Sequence, residues 1–552
     1  MASYRVFIKP SAAKELEAVG TKKDRRRLVA RIRTLAAACA ALTVVPIGCE
    51  GARRKGAVPS AETITVLVPA EERVLGPVWD DTPKFLMFLP LVNYEQGSYC
   101  GEPTPALAER WEHSPDYRIW TVWLRPDVRW HDGVPVTAGD IKFTVDLLNH
   151  PDVLNYNALA VDSVAVLDEY TARIFLTRPG RWPLEGWATF YPRHLLEELD
   201  PEEFYDWEFW TRPVGNGPFR YVRHVPQTMM ELAANPDYYR GKPNIERVIL
   251  RFAGSGRGSG LLEMRSGDVD LARMDIIQAN QLAQDPRFRV VYRVSTSHAR
   301  WLAFNPRYSL FQDVRVRRAL TQAVDRHALH AALDFPADLP LTDAPFTVCQ
   351  FVRGELIEPW SHDPAAAAGL LEAAGWRDED GDGVRETDGE AFRFVTLVAA
   401  EEERVALLLQ NELRQVGVRM EIQRLDGNLI LDRIRDGDFE AVIPPLWALQ
   451  PILTSSGDGN DRSYAAYREA YPGIVELLDA ALQEPDFAEQ DRLYREMAQE
   501  FRRELPAMFL YPGVGPIVAH RRIRGFDHDG WIPPAWRWAF GGLEWLWVEE
   551  RE

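Results

Sequence analysis

The chain has 552 residues, 46% of them hydrophobic, and a formal net charge of −18 at pH 7. This length exceeds what one hydrophobic core needs and indicates roughly three or four domain-sized units. The acidic charge repels phosphate backbones and so argues against a nucleic-acid ligand. The simplest interpretation of the charge is a soluble surface on which like charges repel one another.

The first fifty residues have the layout of an export signal. Residues 22–33 are a basic run, and residues 34–49 carry no charge. A basic region followed by an apolar stretch of this kind is typical of a signal peptide, and it is shorter than the span of about 20 residues that a membrane helix requires. The closing Ile47-Gly48-Cys49 resembles a bacterial lipobox, with Pro46 where Leu is usual. That resemblance implies lipidation of Cys49, which becomes the mature N-terminus.

The extreme N-terminus carries a second resemblance. Residues 1–33, which include Tyr4-Arg5-Val6-Phe7-Ile8 and a later Lys/Arg cluster, are similar to the N-terminal strand and helix of RelE-type toxins. Nothing after Glu50 continues that similarity, so a functional nuclease is not expected. We interpret residues 1–28 as a gene-fusion remnant or as the result of a start site placed too early; initiation near Val29 would give an ordinary signal peptide.

The body of the chain begins with a tether and then gives clear local signals. Residues 51–60 are small, basic and turn-forming, which predicts the tether; a strand is predicted at 63–69 and a helical segment at 81–95. Alternation at 119–124 predicts a half-buried strand, followed by a turn at 125–127 and a short strand at 128–130. Asp132-Gly133 favours a tight turn. Thr137 is the predicted N-cap of a helix, with Asp140 completing a capping box.

The rest of the chain is predicted to contain both strands and helices. The predicted strands lie at 168–176, 220–223, 229–233, 247–252, 269–272 and 439–443. The predicted helices lie at 194–199, 261–266, 315–333, 401–416, 474–482 and 492–505. The β-α-β order of 247–272 is of the kind that builds open α/β sheets.

Several constellations are candidates for chemistry, but none is a strong one. Residues 378–384 resemble a calcium loop because oxygens at alternate positions and a glycine suit a hard cation. The twelfth position is Gly389 where a Glu is needed, so a polar loop is favoured and no metal is predicted. The glycine-rich residues 254–260 lack the spacing of a phosphate-binding loop. No catalytic motif and no cofactor are predicted, and whether Cys100 and Cys349 pair stays open.

A family resemblance rests on blocks spread along the chain. They are P-A-L-A-E-R-W at 105–111, H-D-G-V-P-V-T-A-G-D at 131–140, P-V-G-N-G-P-F at 213–219, N-P-D-Y-Y-R-G-K-P at 235–243, D-V-R-V-R-R-A-L at 313–320 and L-E-A-A-G-W at 371–376. In this order they resemble the solute-binding proteins of bacterial peptide and nickel importers, family 5. Asn216 stands where the family pattern has Thr.

The resemblance implies a two-lobed α/β fold of the periplasmic-binding-protein type, class II, with an extra subdomain. Lobe I is expected at 61–93, 207–305 and 511–552, the extra subdomain at 94–206 and lobe II at 306–510. The implied function is that of a lipid-anchored periplasmic or cell-surface monomer. It would capture a peptide or peptide-like solute between the lobes, close by hinge motion and present the solute to an ABC permease in the membrane.

The same resemblance suggests pocket residues. Trp447 is similar to the Trp of a W-x-x-D segment whose Asp pairs with a peptide's α-ammonium in peptide-binding members. Here the fourth residue is Gln450, which carries no charge and cannot form that ion pair. Either the specificity differs, or the register is off by a few residues, or Asp458 or Asp461 takes the role. Asn305, Trp301 and Tyr94 are further candidates, each with a structural alternative.

Two other classes of function compete with this interpretation. A secreted glycan-acting hydrolase is suggested by the 18 Trp residues and the acidic surface, and the same fold could bind a non-peptide solute such as an oligosaccharide or serve as a sensor or chaperone. Because the family blocks leave no room for a separate catalytic domain, the chain is expected not to be an enzyme.

Overall fold

The computed structural model describes residues 63–68, 82–94, 103–153, 161–181, 189–253, 259–337, 339, 341–345, 355–444, 462–524 and 547–548. All of them belong to one compact unit, Pro59–Glu552. Within these residues no helix combines the length and the apolar character that crossing a membrane needs. The predictions for residues 1–60, including lipidation of Cys49, concern residues outside the described part of the chain, and so does the question whether Cys100 and Cys349 pair.

Twenty strands are described, and they are numbered in chain order. They are β1 Thr63–Val68, β2 Val92–Tyr94, β3 Pro103–Pro105, β4 Ala108–His113, β5 Ile119–Leu124, β6 Val161–Asp168, β7 Thr171–Leu176, β8 Phe219–Val225, β9 Met229–Ala234, β10 Arg247–Phe252, β11 Leu271–Arg273, β12 Phe288–Phe304, β13 Glu386–Thr387, β14 Glu390–Ala391, β15 Arg393–Val398, β16 Arg419–Arg424, β17 Ala441–Ile443, β18 Ala507–His520, β19 Ile523–Arg524 and β20 Trp547–Val548.

The described α-helices are numbered in the same way. They are α1 Thr82–Met87, α2 Ala138–Leu148, α3 Arg193–Leu196, α4 Ser259–Ser266, α5 Ile276–Ala283, α6 Val314–Ala323, α7 Arg326–Ala332, α8 Pro364–Ala373, α9 Glu403–Arg414, α10 Gly427–Asp436, α11 Arg462–Ala470, α12 Pro472–Gln483 and α13 Phe487–Glu504. Short 3₁₀ helices occur at Pro201–Asp206, Glu208–Thr211, Ser309–Phe311 and Ala400–Glu402.

A ten-stranded mixed sheet runs through the molecule in the order β16-β15-β17-β12-β18-β11-β1-β10-β9-β8. Its two central strands, β12 and β18, are long and antiparallel. One end of β12 pairs with β17, whereas the opposite end of the pair reaches β11 through β18. The β12–β18 register shifts between Ser295 and Arg300. These two strands therefore connect the two halves of the sheet through an irregular centre.

A separate antiparallel sheet, in the order β4-β5-β7-β6, lies between the first and second parts of the large sheet in chain order. In β5 the inward side chains Trp120, Val122 and Leu124 are almost fully buried, and the residues between them are more exposed. This alternation is what a half-buried strand requires, because successive side chains point to opposite faces. The sequence prediction for 119–124 is confirmed.

The hydrophobic residues form separate cores on the two sides of β12 and β18. One large core joins the four-stranded sheet to β1, β8, β9 and β10, and includes Trp120, Ile174 and Leu250. Two other cores lie around β15 and β17: one contains Phe394 and Leu409, and the other contains Trp301 and Phe501. Two separately packed halves linked by two strands form a two-lobed α/β fold, as the resemblance implied.

Helix α2 begins as the sequence predicts. The Asp140 carboxylate accepts the Thr137 backbone N–H at 2.8 Å, which forms one half of the capping box. Gly133 has φ +94°, a left-handed conformation that glycine adopts without steric cost, so the predicted turn is confirmed. The short strand predicted at 128–130 is reduced to one isolated bridge between Arg129 and Pro135.

The helical segment predicted at 81–95 is much shorter in the structure. Helix α1 ends at Met87, and β2 begins at Val92. Beyond Met87, the Leu89 N–H is taken by the Asn216 side chain, and Pro90 has no N–H to donate. A tertiary contact from a distant loop therefore stops the helix.

The helix predicted at 315–333 is two helices. Val324 is extended, and the Asp325 carboxylate accepts the Ala328 N–H, which caps α7 as a new helix. In the same way Asp486 caps α13 by accepting the Glu489 N–H, so that helix begins at Phe487 rather than at 492. Side-chain caps compete with helix continuation and decide where these helices begin.

Candidate functional site

Three parallel strands end together at one edge of the large sheet. Strand β15 is parallel to both β16 and β17, and Val398 is in register with Arg424 on one side and Ile443 on the other. Ligands of open α/β sheets bind in the crevice outside such carboxyl ends. The segment with Trp447 and Gln450 continues directly from β17, although both residues lie outside the described part of the chain. This edge is therefore the candidate binding edge of the second half.

A buried ionic network connects this edge to the central strands. Glu402 follows β15 by four residues and forms an ion pair with Arg300 of β12; the two side chains are 5% and 4% exposed. The Tyr511 hydroxyl of β18 donates to the other Glu402 oxygen at 2.9 Å. Burial, and after it the nearby Glu402 carboxylate, raise the pKa of Tyr511, so the hydroxyl stays protonated and remains a donor.

The network lies at the irregular centre of β12 and β18. Arg300 lies between two register shifts, one after Ser295 and one before Trp301, and pairs with Tyr511 across the two strands. One carboxylate thus binds both connecting strands at the point where they leave the second half. Sequence reasoning missed Arg300, Glu402 and Tyr511, because no local pattern signals a contact between residues this distant in the chain.

The P-V-G-N-G-P-F block forms a clasp around the end of α1. The backbone N–H groups of Asn216 and Gly217 both donate to the Met87 carbonyl oxygen, at 2.9 and 2.7 Å. A Cβ at Gly215 would lie 2.0 Å from that oxygen, and one at Gly217 would lie 2.6 Å from the carbonyl carbon. Only glycine permits this approach, so the block fixes the path of the chain from α1 into β2.

His131 closes the clasp from the other side. Its Nδ1 accepts the Gly215 N–H at 3.2 Å, and its Nε2 lies 3.1 Å from the Gly217 carbonyl oxygen, to which it can only donate. The ring is therefore neutral, with its proton on Nε2. Burial is the main cause that lowers the pKa of His131 from 6.5 to about 4; Arg220 lowers it further, whereas the Gly217 carbonyl and Asp132 raise it.

The structure gives Trp301 and Asn305 packing roles. Trp301 is 4% exposed, and its ring centre lies 5.4 and 5.0 Å from those of Phe501 and Phe509. The Asn305 amide nitrogen donates to the carbonyl oxygens of Gly437 and Phe439, at 3.1 and 2.6 Å. Because β12 is antiparallel to β17, Asn305 lies at the opposite end of β17 from the segment with Trp447.

Tyr94 is the last residue of β2 and pairs with Pro103 of β3. Its side chain lies outside the described part of the structure, as do those of Trp447 and Gln450. The clasp brings the chain to Tyr94, and β17 brings it to the segment with Trp447. Tyr94 therefore follows a packed segment of the first half, and Trp447 comes after a packed strand of the second half.

One open cavity of about 510 Å³ lies near Asn305, away from the candidate binding edge. It is lined by Pro306, Arg307, Gln312, Glu469, Tyr471 and Glu504. The Arg317 guanidinium at its base is used structurally, because it donates to the carbonyl oxygens of Glu504, Leu505, Phe311 and Gln312. It thereby holds the C-terminal end of α13.

The acidic loop brings four carboxylates together. Oxygens of Asp378, Asp380, Asp382 and Glu386 lie within 4.8 Å of one another. The sequence pattern of a twelve-residue calcium loop did not predict that Glu386 belongs to this cluster. Asp378 accepts the backbone N–H groups of Gly381 and Gly383, and Asp382 accepts that of Val384, so these carboxylates also stabilise the turn. All but Glu386 are exposed, which agrees with the interpretation as a polar loop.

Comparison with known proteins agrees with this geometry. Residues 102–452 match the family profile of bacterial extracellular solute-binding proteins, family 5. A protein of Brucella ovis named as an ABC transporter peptide-binding protein is 29% identical over 468 residues, which cover 81% of this chain and 85% of that protein.

Solved structures have the same fold. The oligopeptide-binding protein AppA of Bacillus subtilis, in complex with a nonapeptide, matches with a TM-score of 0.63 and 19% identity over 88% of this chain and 99% of its own. NikA of Brucella suis, in complex with Fe(III)-EDTA, matches with a TM-score of 0.71 and 20% identity over 88% of this chain and 100% of its own. The chain thus belongs to the bacterial extracellular solute-binding proteins, family 5, which are substrate-binding proteins of ABC importers and not enzymes.

Proposed function

We propose that this chain captures a peptide or peptide-like solute between its two lobes and delivers it to an ABC permease. The observation that carries the proposal is the common edge where β15, β16 and β17 end, next to the two strands that connect the halves. A solute bound at this edge can also contact the other half, so that its binding favours the closed arrangement. The peptide-binding name of the Brucella ovis relative supports the solute class.

Trp447 and Gln450 are the proposed pocket residues of the second lobe, and Tyr94 is that of the first. An indole offers a flat apolar face, whereas the Gln450 amide offers a donor and an acceptor without charge. An unpaired α-ammonium would lose free energy on entering a dry cleft without a carboxylate. Gln450 therefore favours a solute whose end is blocked or uncharged, and a non-peptide solute such as an oligosaccharide is the second candidate.

Lobe boundaries follow from the same proposal. Lobe I comprises 61–93, 207–305 and 511–552, lobe II comprises 306–510, and the extra subdomain is 94–206. The separate four-stranded sheet supports the subdomain, and the separate cores around β15 and β17 support lobe II.

The mature protein is proposed to be a monomer anchored to the membrane through a lipid on Cys49. The lipobox-like Ile47-Gly48-Cys49 supports this, together with the extracellular setting of the family. Mass spectrometry of the secreted protein tests it: a lipid-modified N-terminal Cys49 is expected. Recovery of peptides from residues 1–28 on the mature protein would contradict both the cleavage and the proposed origin of those residues.

A thermal-shift screen of the purified protein against short peptides, oligosaccharides, opines and metal chelates tests the solute class. A compound that binds only the folded state raises the melting temperature, by mass action. A shift with peptides or peptide-like compounds is expected. If only sugars raise the melting temperature, the peptide proposal is wrong and the second candidate replaces it.

The variant Gln450→Asp tests the pocket. A carboxylate at this position would pair with a free α-ammonium, so the variant is expected to bind unmodified peptides at least about tenfold more tightly, which corresponds to about 1.4 kcal/mol. The N-acetylated form of each peptide is the matched control, because it lacks the ammonium and should gain nothing. Equal gains for both forms, or no gain for either, would place Gln450 outside the pocket.

A further inference from the structure

A side-chain contact joins the segment that follows β7 of the four-stranded sheet to helix α13. The Arg181 guanidinium carbon lies 3.0 Å from the centre of the Phe487 ring. Arg181 comes shortly after β7, whose residues pack in the first core, whereas α13 packs in the core of Trp301 and Phe501. We propose that Arg181 and Phe487 form a latch that holds the two lobes in the closed arrangement; the latch rests on the proposed function, in which the cleft between them opens and closes.

The Arg181 side of the latch has a rigid base. The preceding Gly180 carbonyl oxygen accepts the indole N–H of Trp120 at 3.0 Å, and the Gly180 N–H donates to the Tyr117 carbonyl oxygen at 3.2 Å. Trp120 itself is 1% exposed in the first core. The backbone that carries Arg181 is thus attached to the sheet, and the guanidinium is presented from a fixed point.

The Phe487 side is equally well held. Phe487 is the first residue of α13, and the preceding Asp486 caps the helix by accepting the Glu489 N–H at 3.0 Å. Helix α13 continues into the buried Met497, Ala498 and Phe501. The Phe487 ring is 37% exposed, so it projects from a packed helix instead of being part of the core.

A second contact between the halves lies close to the connecting strands and differs in kind. The Asn280 amide of α5 donates to the Asp334 carbonyl oxygen at 2.6 Å, and Tyr292 of β12 donates to Asn280. A contact beside the pivot changes little when two bodies rotate. Arg181 follows β7, whose sheet has no strand pairing with β12 or β18, so its contact with α13 must change with the angle between the lobes.

The strength of such a pair sets the size of its effect. A guanidinium over an aromatic ring at a partly exposed site stabilises the contact enough to change a two-state equilibrium about two- to fivefold. This is small compared with what a tightly bound solute contributes. The latch therefore biases the empty protein toward closure without locking it, and raises the apparent affinity for solute by at most the same factor.

Distances between spin labels on the two halves test the latch without any solute. Labels are placed at Glu198→Cys and Glu476→Cys, two exposed positions on opposite sides of the contact, with Cys100 and Cys349 replaced by serine and with Cys49, whose sulfur carries the proposed lipid, kept. In the solute-free protein, Arg181→Ala and Phe487→Leu are each expected to lower the closed-to-open ratio about two- to fivefold. The double variant should do no more than Arg181→Ala alone, since both substitutions remove the Arg181–Phe487 contact.

Two control variants separate the latch from non-specific effects. Arg178→Ala removes an exposed arginine three residues away, whose side chain forms no hydrogen bond or ion pair with the described residues, and should leave the ratio unchanged. Phe487→Tyr keeps the aromatic face and should also leave it unchanged. Circular dichroism verifies that each variant is folded.

The outcomes distinguish the latch from the proposed function. If Arg181→Ala gives the same distance distribution as the unchanged protein, or if Arg178→Ala shifts the ratio equally, the latch is wrong whatever the solute. A further outcome is that the variants shift the closed-to-open ratio as expected while none of the peptides, oligosaccharides, opines and metal chelates of the thermal-shift screen changes the distance between the spin labels in any of the proteins. In that case the latch stands and the proposed function fails.

Discussion

At the scale of single residues, the family block P-V-G-N-G-P-F is explained by close backbone approach. Gly215 and Gly217 pack against the Met87 carbonyl group, and Asn216 accepts the Leu89 N–H at 2.9 Å. The block therefore works as a structural clasp that directs α1 into β2, and through β2 toward Tyr94.

The clasp predicts a large effect of one methyl group. Gly217→Ala is expected to reduce the free energy of unfolding by about 3 kcal/mol, because its Cβ would overlap backbone atoms that cannot rotate away. The matched control is Gly369→Ala in α8, where a Cβ meets nothing within 4 Å. That variant should gain roughly 0.5–1 kcal/mol from helix propensity. Urea denaturation measures both; equal stability of the two variants would contradict the clasp.

His131 predicts a dependence of stability on pH. Its pKa is about 4 in the folded protein and 6.5 in the absence of the fold. The unfolded chain therefore binds a proton first as the pH falls, so the contribution of His131 is complete above pH 6.5 and is lost progressively down to about pH 4. The loss reaches about 3 kcal/mol at most.

Urea denaturation between pH 7.5 and 4 measures this dependence in the unchanged protein and in two variants. His131→Gln removes the titrating group, so its stability should fall less steeply across this range. Leu407→Ala, at an exposed position without a titrating group, should keep the original slope. Identical slopes in all three proteins would show that protonation of His131 is not linked to folding.

At the scale of elements, a buried carboxylate in the turn after β15 connects this strand to β12 and β18. Glu402 is paired with Arg300 and accepts from Tyr511. The ion pair is almost completely removed from water, so the loss of either member removes a strong buried interaction.

Glu402→Gln is expected to lower the free energy of unfolding by about 3–5 kcal/mol, because it removes a buried carboxylate that pairs with Arg300 and accepts from Tyr511. Tyr511→Phe removes one hydrogen bond and should cost about 1 kcal/mol. The control is Glu403→Gln, whose pair with Arg424 is largely exposed and should contribute less than about 1 kcal/mol. Chemical denaturation would contradict the interpretation if Glu402→Gln and Glu403→Gln were equally mild.

At the scale of the whole molecule, the two halves have separate cores and share β12 and β18. Relative rotation about the irregular centre of these strands can therefore occur without breaking a core. A solute that binds both lobes must favour the arrangement in which they approach.

Small-angle X-ray scattering is expected to give a smaller radius of gyration when the protein is saturated with a solute that raises its melting temperature. A compound of the same class that gives no thermal shift is the control and should leave the radius unchanged. An unchanged radius with a bound solute would mean that binding does not require closure of the lobes.

The sequence by itself determined the features that depend on neighbours in the chain. The alternation of β5, the glycine turn at Gly133 and the capping box of α2 follow from local periodicity and hydrogen bonding, and the structure confirms each of them. The order of the family blocks also predicted the two-lobed fold, because blocks shared along a chain reflect a shared arrangement of elements.

Only the tertiary structure decided the features that depend on distant residues. Helix α1 stops at Met87 because a loop more than a hundred residues away occupies its end, and Asn305 and Trp301 are buried by packing that no local pattern specifies. Two sets of contacts join segments that only folding brings together. One is the network of Arg300, Glu402 and Tyr511, and the other is the contact of Arg181 with Phe487. Caps, turns and alternation depend on residues a few positions apart in the sequence, whereas burial and long-range pairing depend on how the whole chain packs.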